Sequence, residues 1–193
     1  MKVAAILLAA GSGTRFGADK LLHLLPHGVP IAVQSARHLR AAFHDRVLAV
    51  VRPGAEALAS ALRDEHCEVL VCERAGEGMG VSLACAVQAS GLASAWVVAL
   101  ADMPFIRPST LQAVHDTMAG GAPLAAPYFR AKRGHPVGIA ARFRADLEKL
   151  AGDEGARQVL GRHARELVKI PVGDPGVLRD IDRPSDLAPP LVV

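Results

Sequence analysis

Short apolar runs alternate with stretches of helix length along the first two thirds of this chain. Runs typical of buried strands occur at residues 3–8, 46–51, 68–72, 96–101 and 124–126. Helical periodicity separates them at residues 30–43, 55–65, 82–89 and 109–118. Strands joined through helices pair in parallel by right-handed crossovers, and the helices cover both faces of the sheet. The pattern therefore predicts an α/β fold with a doubly wound, mainly parallel sheet.

The pattern changes from about residue 128. Residues 128–134 are polar and basic, residues 136–140 predict a short strand, and two short helices are expected after it. No linker or internal repeat separates this part from the rest. We expect it to form an elaborated edge of the same domain, so that residues 1–193 make one domain.

The first apolar run leads directly into a glycine-rich segment that ends in basic residues. Gly11, Gly13 and Gly17 free the backbone to turn and to approach a ligand closely. Arg15 offers a planar charged fork and Lys20 a mobile point charge, a pair that suits phosphate oxygens. The segment predicts a polyphosphate-binding loop, although an ordinary strand-to-helix turn with two solvated cations remains open.

Two better-known phosphate loops do not match. The dinucleotide fingerprint requires a third glycine where Phe16 stands and an acidic residue where the second strand runs into Arg52. The nucleoside-triphosphatase loop requires Gly-Lys-Ser/Thr, but Ala18 and Asp19 follow Gly17. A dinucleotide oxidoreductase is therefore disfavoured.

Composition narrows the class of protein further. The 193 residues are 51% hydrophobic but only 4% aromatic, which favours an aliphatic α/β core. The net charge is only +3, and the basic residues are scattered along the chain. We therefore expect no nucleic acid partner. The three cysteines, Cys67, Cys72 and Cys85, lack paired spacing and predict reduced thiols in the cytoplasm. No run is long enough to span a membrane.

The predicted topology brings a carboxylate to the glycine loop. In an open doubly wound sheet, ligands bind beyond the carboxyl ends of strands at the switch point. The strand at residues 96–101 is the expected neighbour of the first strand, and it delivers Asp102 there. Asp180 and Asp182 alternate in the tail and would share one face of a short strand. These carboxylates suit Mg²⁺, although helix-capping and turn roles remain open.

Six segments resemble a known family in order. LAAGSGTRFGADK, GEGMGVSL, ALADMP, RGHPVG, GDEGAR and DIDRPSDL, from Leu8 to Leu187, resemble the molybdenum cofactor cytidylyltransferase (MocA-like) branch of the MobA-like nucleotidyltransferases. The resemblance implies a Rossmann-like sheet of the nucleotide-diphospho-sugar transferase type. It also implies a nucleotide-binding half, residues 1–127, and a substrate-binding C-terminal part, residues 128–193.

The resemblance assigns roles to individual residues. The nucleotide would be held by Leu8, Ala9, Ala10, Gly11, Gly13, Arg15, Lys20, Gly80 and Ser82. Arg15, Lys20 and Asp102 would act in catalysis. Asp102 would bind Mg²⁺, with Asp182 or Asp180 as its partner. The substrate segment would be Arg133, Gly134, His135 and Pro136, with His135 as a donor or else a loop histidine bonded to backbone carbonyls.

The implied reaction transfers CMP from CTP to molybdopterin and releases pyrophosphate. Relatives that transfer GMP usually carry glycine in place of Ala10, so the resemblance points to CTP. A phosphate nucleophile is already anionic, which fits the lack of a nucleophile-and-base arrangement in the sequence. The product would pass to a molybdenum hydroxylase. Two alternatives stay open: another nucleotide with another phosphorylated acceptor, and a non-enzymatic accessory protein that binds the cofactor for such a hydroxylase.

Overall fold

A computed structural model of the chain describes residues 2–11, 20–43 and 46–187. Within these ranges, eight strands form one sheet. They are β1 (Val3–Leu8), β2 (Val47–Val51), β3 (Glu68–Val71), β4 (Ala95–Leu100), β5 (Leu124–Phe129), β6 (Lys132–Arg133), β7 (Val137–Ala140) and β8 (Leu167–Pro171). The helices in the same ranges are α1 (Ile31–Ala42), α2 (Glu56–Asp64), α3 (Met79–Ala89), α4 (Pro108–Ala119), α5 (Arg144–Leu147) and α6 (Arg157–Arg162).

The strand order is β3-β2-β1-β4-β7-β5-β6, and β8 pairs with β5. Strands β1 to β4 are parallel to one another, while β7 and β6 run antiparallel to their neighbours. The predicted open and mainly parallel sheet, flanked by helices, is confirmed. The fourth strand is the neighbour of the first on the side away from β2, which is the switch point that the sequence predicts.

Alternation along the strands divides the core between the two faces of the sheet. Leu7 and Val97 point to the face covered by α1, α2 and α4. Ile6 and Trp96 point to the opposite face, which α3, α5 and α6 cover. Trp96 is fully buried, and its indole Nε1 donates to the Ser90 hydroxyl over 2.7 Å. Burial on both faces explains why the central strands are almost continuously apolar.

Several elements differ from the sequence prediction. Helix α3 begins at Met79 instead of residue 82, so Gly80 lies in its first turn. Strand β8 was not predicted, because Lys169 interrupts its apolar run and its conformation depends on non-local parallel pairing with β5. Strand β5 is longer than expected and forms a hairpin with β6. No described helix has the length and apolar character needed to cross a bilayer.

Candidate functional site

Three parallel strands end together at the carboxyl edge of the sheet. Leu8 at the end of β1 lies opposite Val50 in β2 and Leu100 in β4. The amide of Ala9 donates to the Val50 carbonyl over 2.8 Å, and the amide of Ala101 donates to the Leu8 carbonyl over 3.0 Å. The segments that follow these three strands therefore begin at the same edge of the sheet, and residues from all three line one cavity.

This nucleotide cavity, as we call it, has a volume of about 460 Å³. Six of the residues expected to bind nucleotide, act in catalysis or bind metal line it: Leu8, Ala10, Gly11, Lys20, Ser82 and Asp102. Gly13 and Arg15 lie outside the described residues. Four other expected residues, Ala9, Gly80, Asp180 and Asp182, do not line the cavity. Ala9 is buried beneath it, and the Gly80 amide donates to the Gly152 carbonyl over 2.7 Å.

Gly78 and Gly80 allow the loop between α5 and α6 to pack against the start of α3. A Cβ atom on Gly78, whose φ is +123°, would lie 2.3 Å from the backbone carbon of Gly152. A Cβ on Gly80 would lie 2.8 Å from the Ala151 carbonyl oxygen. Both glycines thus permit a close approach of two backbones, and the contact brings Asp153 to the wall of the nucleotide cavity.

Three carboxylates gather beyond the end of β4, and of these Asp102 lines this cavity. Oxygen atoms of Asp102, Asp180 and Asp182 lie within 4.8 Å of one another. The Lys20 Nζ atom lies 2.9 Å from Asp102 Oδ2 and 3.3 Å from Asp182 Oδ1. Burial disfavours the Lys20 ammonium, but its interactions with Asp102 and Asp182 outweigh that effect and raise the pKa of Lys20 above its usual value. Lys20 therefore stays charged at neutral pH.

The tail reaches Asp102 without forming the predicted strand. The prediction that Asp180 and Asp182 lie on a strand is wrong, because residues 179–183 have no regular secondary structure. Between them, the Ile181 side chain is fully buried and its amide donates to the Asp102 carbonyl over 2.9 Å. Burial of this one side chain anchors the segment, so that both neighbouring carboxylates stand beside Asp102.

A second cavity, of about 360 Å³, adjoins the first, and we name it the acceptor cavity. The two share Leu8, Met79, Leu100 and Asp153 in their walls. Of the predicted substrate segment, Arg133, Gly134 and His135 line the acceptor cavity, whereas Pro136 is buried behind it. Arg157 from α6 also lines it, so that two guanidinium groups border the cavity.

His135 is uncharged at neutral pH. Its Nδ1 atom is enclosed and has no hydrogen-bond partner among the described residues, whereas its backbone amide donates to the Val177 carbonyl over 2.9 Å. Burial, reinforced by the positive charge of Arg133, lowers the pKa of His135 to about 4, against a smaller opposite effect of Asp180. The ring is thus neutral at the cavity wall, with one N–H donor and one acceptor nitrogen, and it is not an imidazolium acid at pH 7.

Sequence reasoning did not assign Arg52, Met79 or Asp153 to the site. Met79 and Asp153 border both cavities. The side chain of Arg52, which follows β2, also lines the nucleotide cavity, and its Nη1 atom donates to the Gly11 carbonyl over 2.7 Å. Its place immediately after a parallel strand was a usable signal, since such residues lie at the ligand-binding edge. Asp153 belongs to the GDEGAR segment, to which the resemblance gave no role, and the close packing on Gly78 brings it to the cavity.

The arrangement is chemically suited to phosphate groups and a hard cation. Three carboxylates offer the oxygen ligands that Mg²⁺ prefers, and Lys20 adds a positive charge beside them. An anion in the acceptor cavity would face Arg133 and Arg157, in a wall that also contains Asp153 and Glu154. The chain thus provides one set of groups for a metal-bound polyphosphate and another for a second anionic ligand.

Part of the chain is similar in sequence to a curated bifunctional protein. It is 40% identical over 119 residues to the bifunctional protein GlmU of Cereibacter sphaeroides, across 59% of this chain and 26% of that protein. The match thus spans about a quarter of the length of that curated relative.

Several solved structures are similar to this chain over nearly its whole length. Rv0371c from Mycobacterium tuberculosis has a TM-score of 0.83 at 24% identity, with 96% of this chain and 95% of that chain covered. Its manganese complex gives a TM-score of 0.79 at 22% identity, over 96% of both chains. The molybdopterin-guanine dinucleotide biosynthesis protein A of Archaeoglobus fulgidus gives 0.65 at 21% identity, over 95% of this chain and 94% of that one.

These structural similarities establish the fold. Family membership comes from the sequence, because residues 5–167 match the MobA-like NTP transferase domain, and this range includes the glycine loop, Asp102 and the acceptor segment. The chain therefore belongs to the family of MobA-like NTP transferase domains.

Proposed function

We propose that this nucleotidyltransferase transfers CMP from CTP to the terminal phosphate of molybdopterin and releases pyrophosphate. The observation that carries the proposal is the meeting of two cavities at the end of β1. One contains Lys20 and Asp102, and the other is bordered by Arg133 and Arg157. Such a pair of sites fits a reaction in which a nucleoside triphosphate meets a phosphorylated acceptor.

A divalent cation fits the residues on the β4 side. Asp102, Asp180 and Asp182 would hold Mg²⁺, because their oxygens lie within 4.8 Å of one another and are hard ligands. When bound, the ion would neutralise charge on the triphosphate. Rv0371c, which has a similar fold, has been solved as a complex with manganese, and this supports the proposal of a divalent cation.

The remaining chemistry falls to the side chains. The anionic nucleophile needs orientation and charge neutralisation more than a base, and a neutral His135 is consistent with binding the acceptor. Lys20 stands beside the carboxylates, where its charge would stabilise the departing pyrophosphate. The expected contribution of Arg15 in the glycine loop is the same.

The choice of substrates depends on two features. Alanine at position 10 favours CTP, because relatives that transfer GMP usually carry glycine there. The name of the Archaeoglobus fulgidus neighbour supports molybdopterin as the acceptor, although that name specifies guanine as the base. We also propose that the product passes to a molybdenum hydroxylase and that the protein is cytoplasmic.

Pyrophosphate release with each of the four nucleoside triphosphates, in the presence of molybdopterin and Mg²⁺, tests the proposal. We expect release with CTP to exceed release with GTP, and Asp102→Asn to abolish it while CTP still binds. Faster release with GTP would refute the cytidylyl assignment. Unchanged delivery of cofactor to a hydroxylase by Asp102→Asn would instead support the non-enzymatic accessory protein.

A further inference from the structure

Arg52 lies on the opposite side of Ala10 from Asp102. Because Leu8 is in register with both Val50 and Leu100, Arg52 and Asp102 stand two residues beyond these partners on either side of β1. Neighbouring strands are ~4.8 Å apart, so the strands that carry the two residues are separated by ~10 Å. Both side chains line the nucleotide cavity. The cavity thus has a positive group on the β2 side and the carboxylate cluster on the β4 side.

The guanidinium of Arg52 is held in place and keeps most of its donors available. Its Nη1 atom donates to the Gly11 carbonyl over 2.7 Å, which ties the side chain to the start of the glycine loop. Among the described residues, no carboxylate forms an ion pair with it. An arginine has five N–H donors in a rigid planar fork. One contact therefore orients the group and leaves other donors for a ligand in the cavity.

The position of Arg52 favours the nucleoside end of a bound nucleotide. A triphosphate with its metal belongs on the β4 side, where Lys20 and the three aspartates lie. The other end of the cavity is formed by residues that follow β2 and β3, among them Arg52, Gly76 and Met79. A nucleotide that extends across the end of β1 would place its base there.

We propose that Arg52 selects cytosine by donating hydrogen bonds to O2 and N3 of the base. The inference rests on the proposed use of CTP. Cytosine presents these two acceptors side by side, which matches two arms of the guanidinium fork. Uracil places an N–H at position 3, and the corresponding edge of guanine is mostly donors, so both would oppose a donor of Arg52. A site that bonds one group rejects a base that lacks it.

Binding of 3-deaza-CTP tests this directly, because a C–H replaces the N3 acceptor. Dissociation constants should be measured by calorimetry without acceptor, so that turnover does not interfere. The wild type is expected to bind CTP about tenfold more tightly than the analogue, since a hydrogen bond to a charged group is lost. Arg52→Met is expected to bind both equally. The matched control Arg63→Met, which removes an exposed arginine of α2, is expected to keep the tenfold difference.

A second variant and a second ligand exclude a phosphate contact or a general disturbance of the loop. Arg52→Lys keeps a cation that can reach the Gly11 carbonyl but lacks the fork, so it should lose the discrimination and still bind inorganic tripolyphosphate like the wild type. Equal weakening of tripolyphosphate and CTP in Arg52→Met would overturn the inference, as would full discrimination in Arg52→Lys. A wild type that binds GTP more tightly than CTP would instead refute the proposed function and, with it, this role.

Discussion

The buried imidazole of His135 makes a quantitative prediction about acid stability. Its pKa is lowered from 6.5 to about 4 because burial disfavours the charged ring. The unfolded chain therefore takes up a proton at a higher pH than the folded protein does. Stability from this residue is present above pH 6.5 and is lost as the pH falls towards 4.

The size of the effect follows from the two pKa values. Between pH 7.5 and pH 5.5, protonation of the unfolded state lowers the free energy of unfolding by ~1.4 kcal/mol through this residue alone. Well below pH 4 the loss approaches ~3.4 kcal/mol, which is the difference between pKa values of 6.5 and about 4 at ~1.36 kcal/mol per pH unit. A marginally stable domain would lose a sizeable share of its stability in this range.

Urea denaturation at pH 7.5 and pH 5.5 measures this difference. In His135→Asn the drop between the two pH values should be smaller than in the wild type by ~1.4 kcal/mol, because the variant has no imidazole at this position. His66→Asn, which removes an exposed histidine and leaves His135 in place, should keep the wild-type drop. If His135→Asn loses as much stability as the wild type, the acid sensitivity arises elsewhere and a neutral, buried His135 is the wrong description.

Three further changes test other parts of the site. Lys20→Ala should lower kcat by more than it weakens CTP binding, because its charge is needed most as pyrophosphate departs; equal losses would contradict that division. Ala10→Gly should raise pyrophosphate release with GTP relative to CTP, and an unchanged ratio would remove Ala10 as a determinant. Gly134→Ala should lower the free energy of unfolding by ~1–3 kcal/mol, since its Cβ would lie 2.4 Å from the Val177 carbonyl oxygen, whereas Gly161→Ala in α6 has open space and should not destabilise.

The parallel half of the fold was predictable because its signals are local. Each strand from β1 to β4 is a short apolar run, and each of the helices between them has its own periodicity. The position of Asp102 beside the end of β1 then followed from the rule that neighbouring parallel strands share a carboxyl edge. The same rule would have brought Arg52 into the site, since it follows β2 as Asp102 follows β4.

The second half depends on contacts that are distant in sequence. Strand β8 is extended because it pairs in parallel with β5, which lies about 40 residues earlier in the chain. The Asp180 and Asp182 pair reaches Asp102 because Ile181 is buried, and nothing in the local pattern distinguishes that from a strand. Asp153 enters the cavities only because Gly78 and Gly80 admit a second backbone. Close packing of this kind has no periodic signature.

The distribution of charge across the site favours the movement of anions over the movement of protons. Lys20 stays charged beside the carboxylates, while His135 stays neutral between Arg133 and Asp180. Neither group titrates near neutral pH, so neither is tuned as an acid or base there. Each cavity instead has two cationic residues in its wall, Lys20 and Arg52 in one and Arg133 and Arg157 in the other, beside an equal number of carboxylates. The proposed phosphate nucleophile is already ionised and needs no general base, and we therefore expect the rate to vary little between pH 7 and pH 8.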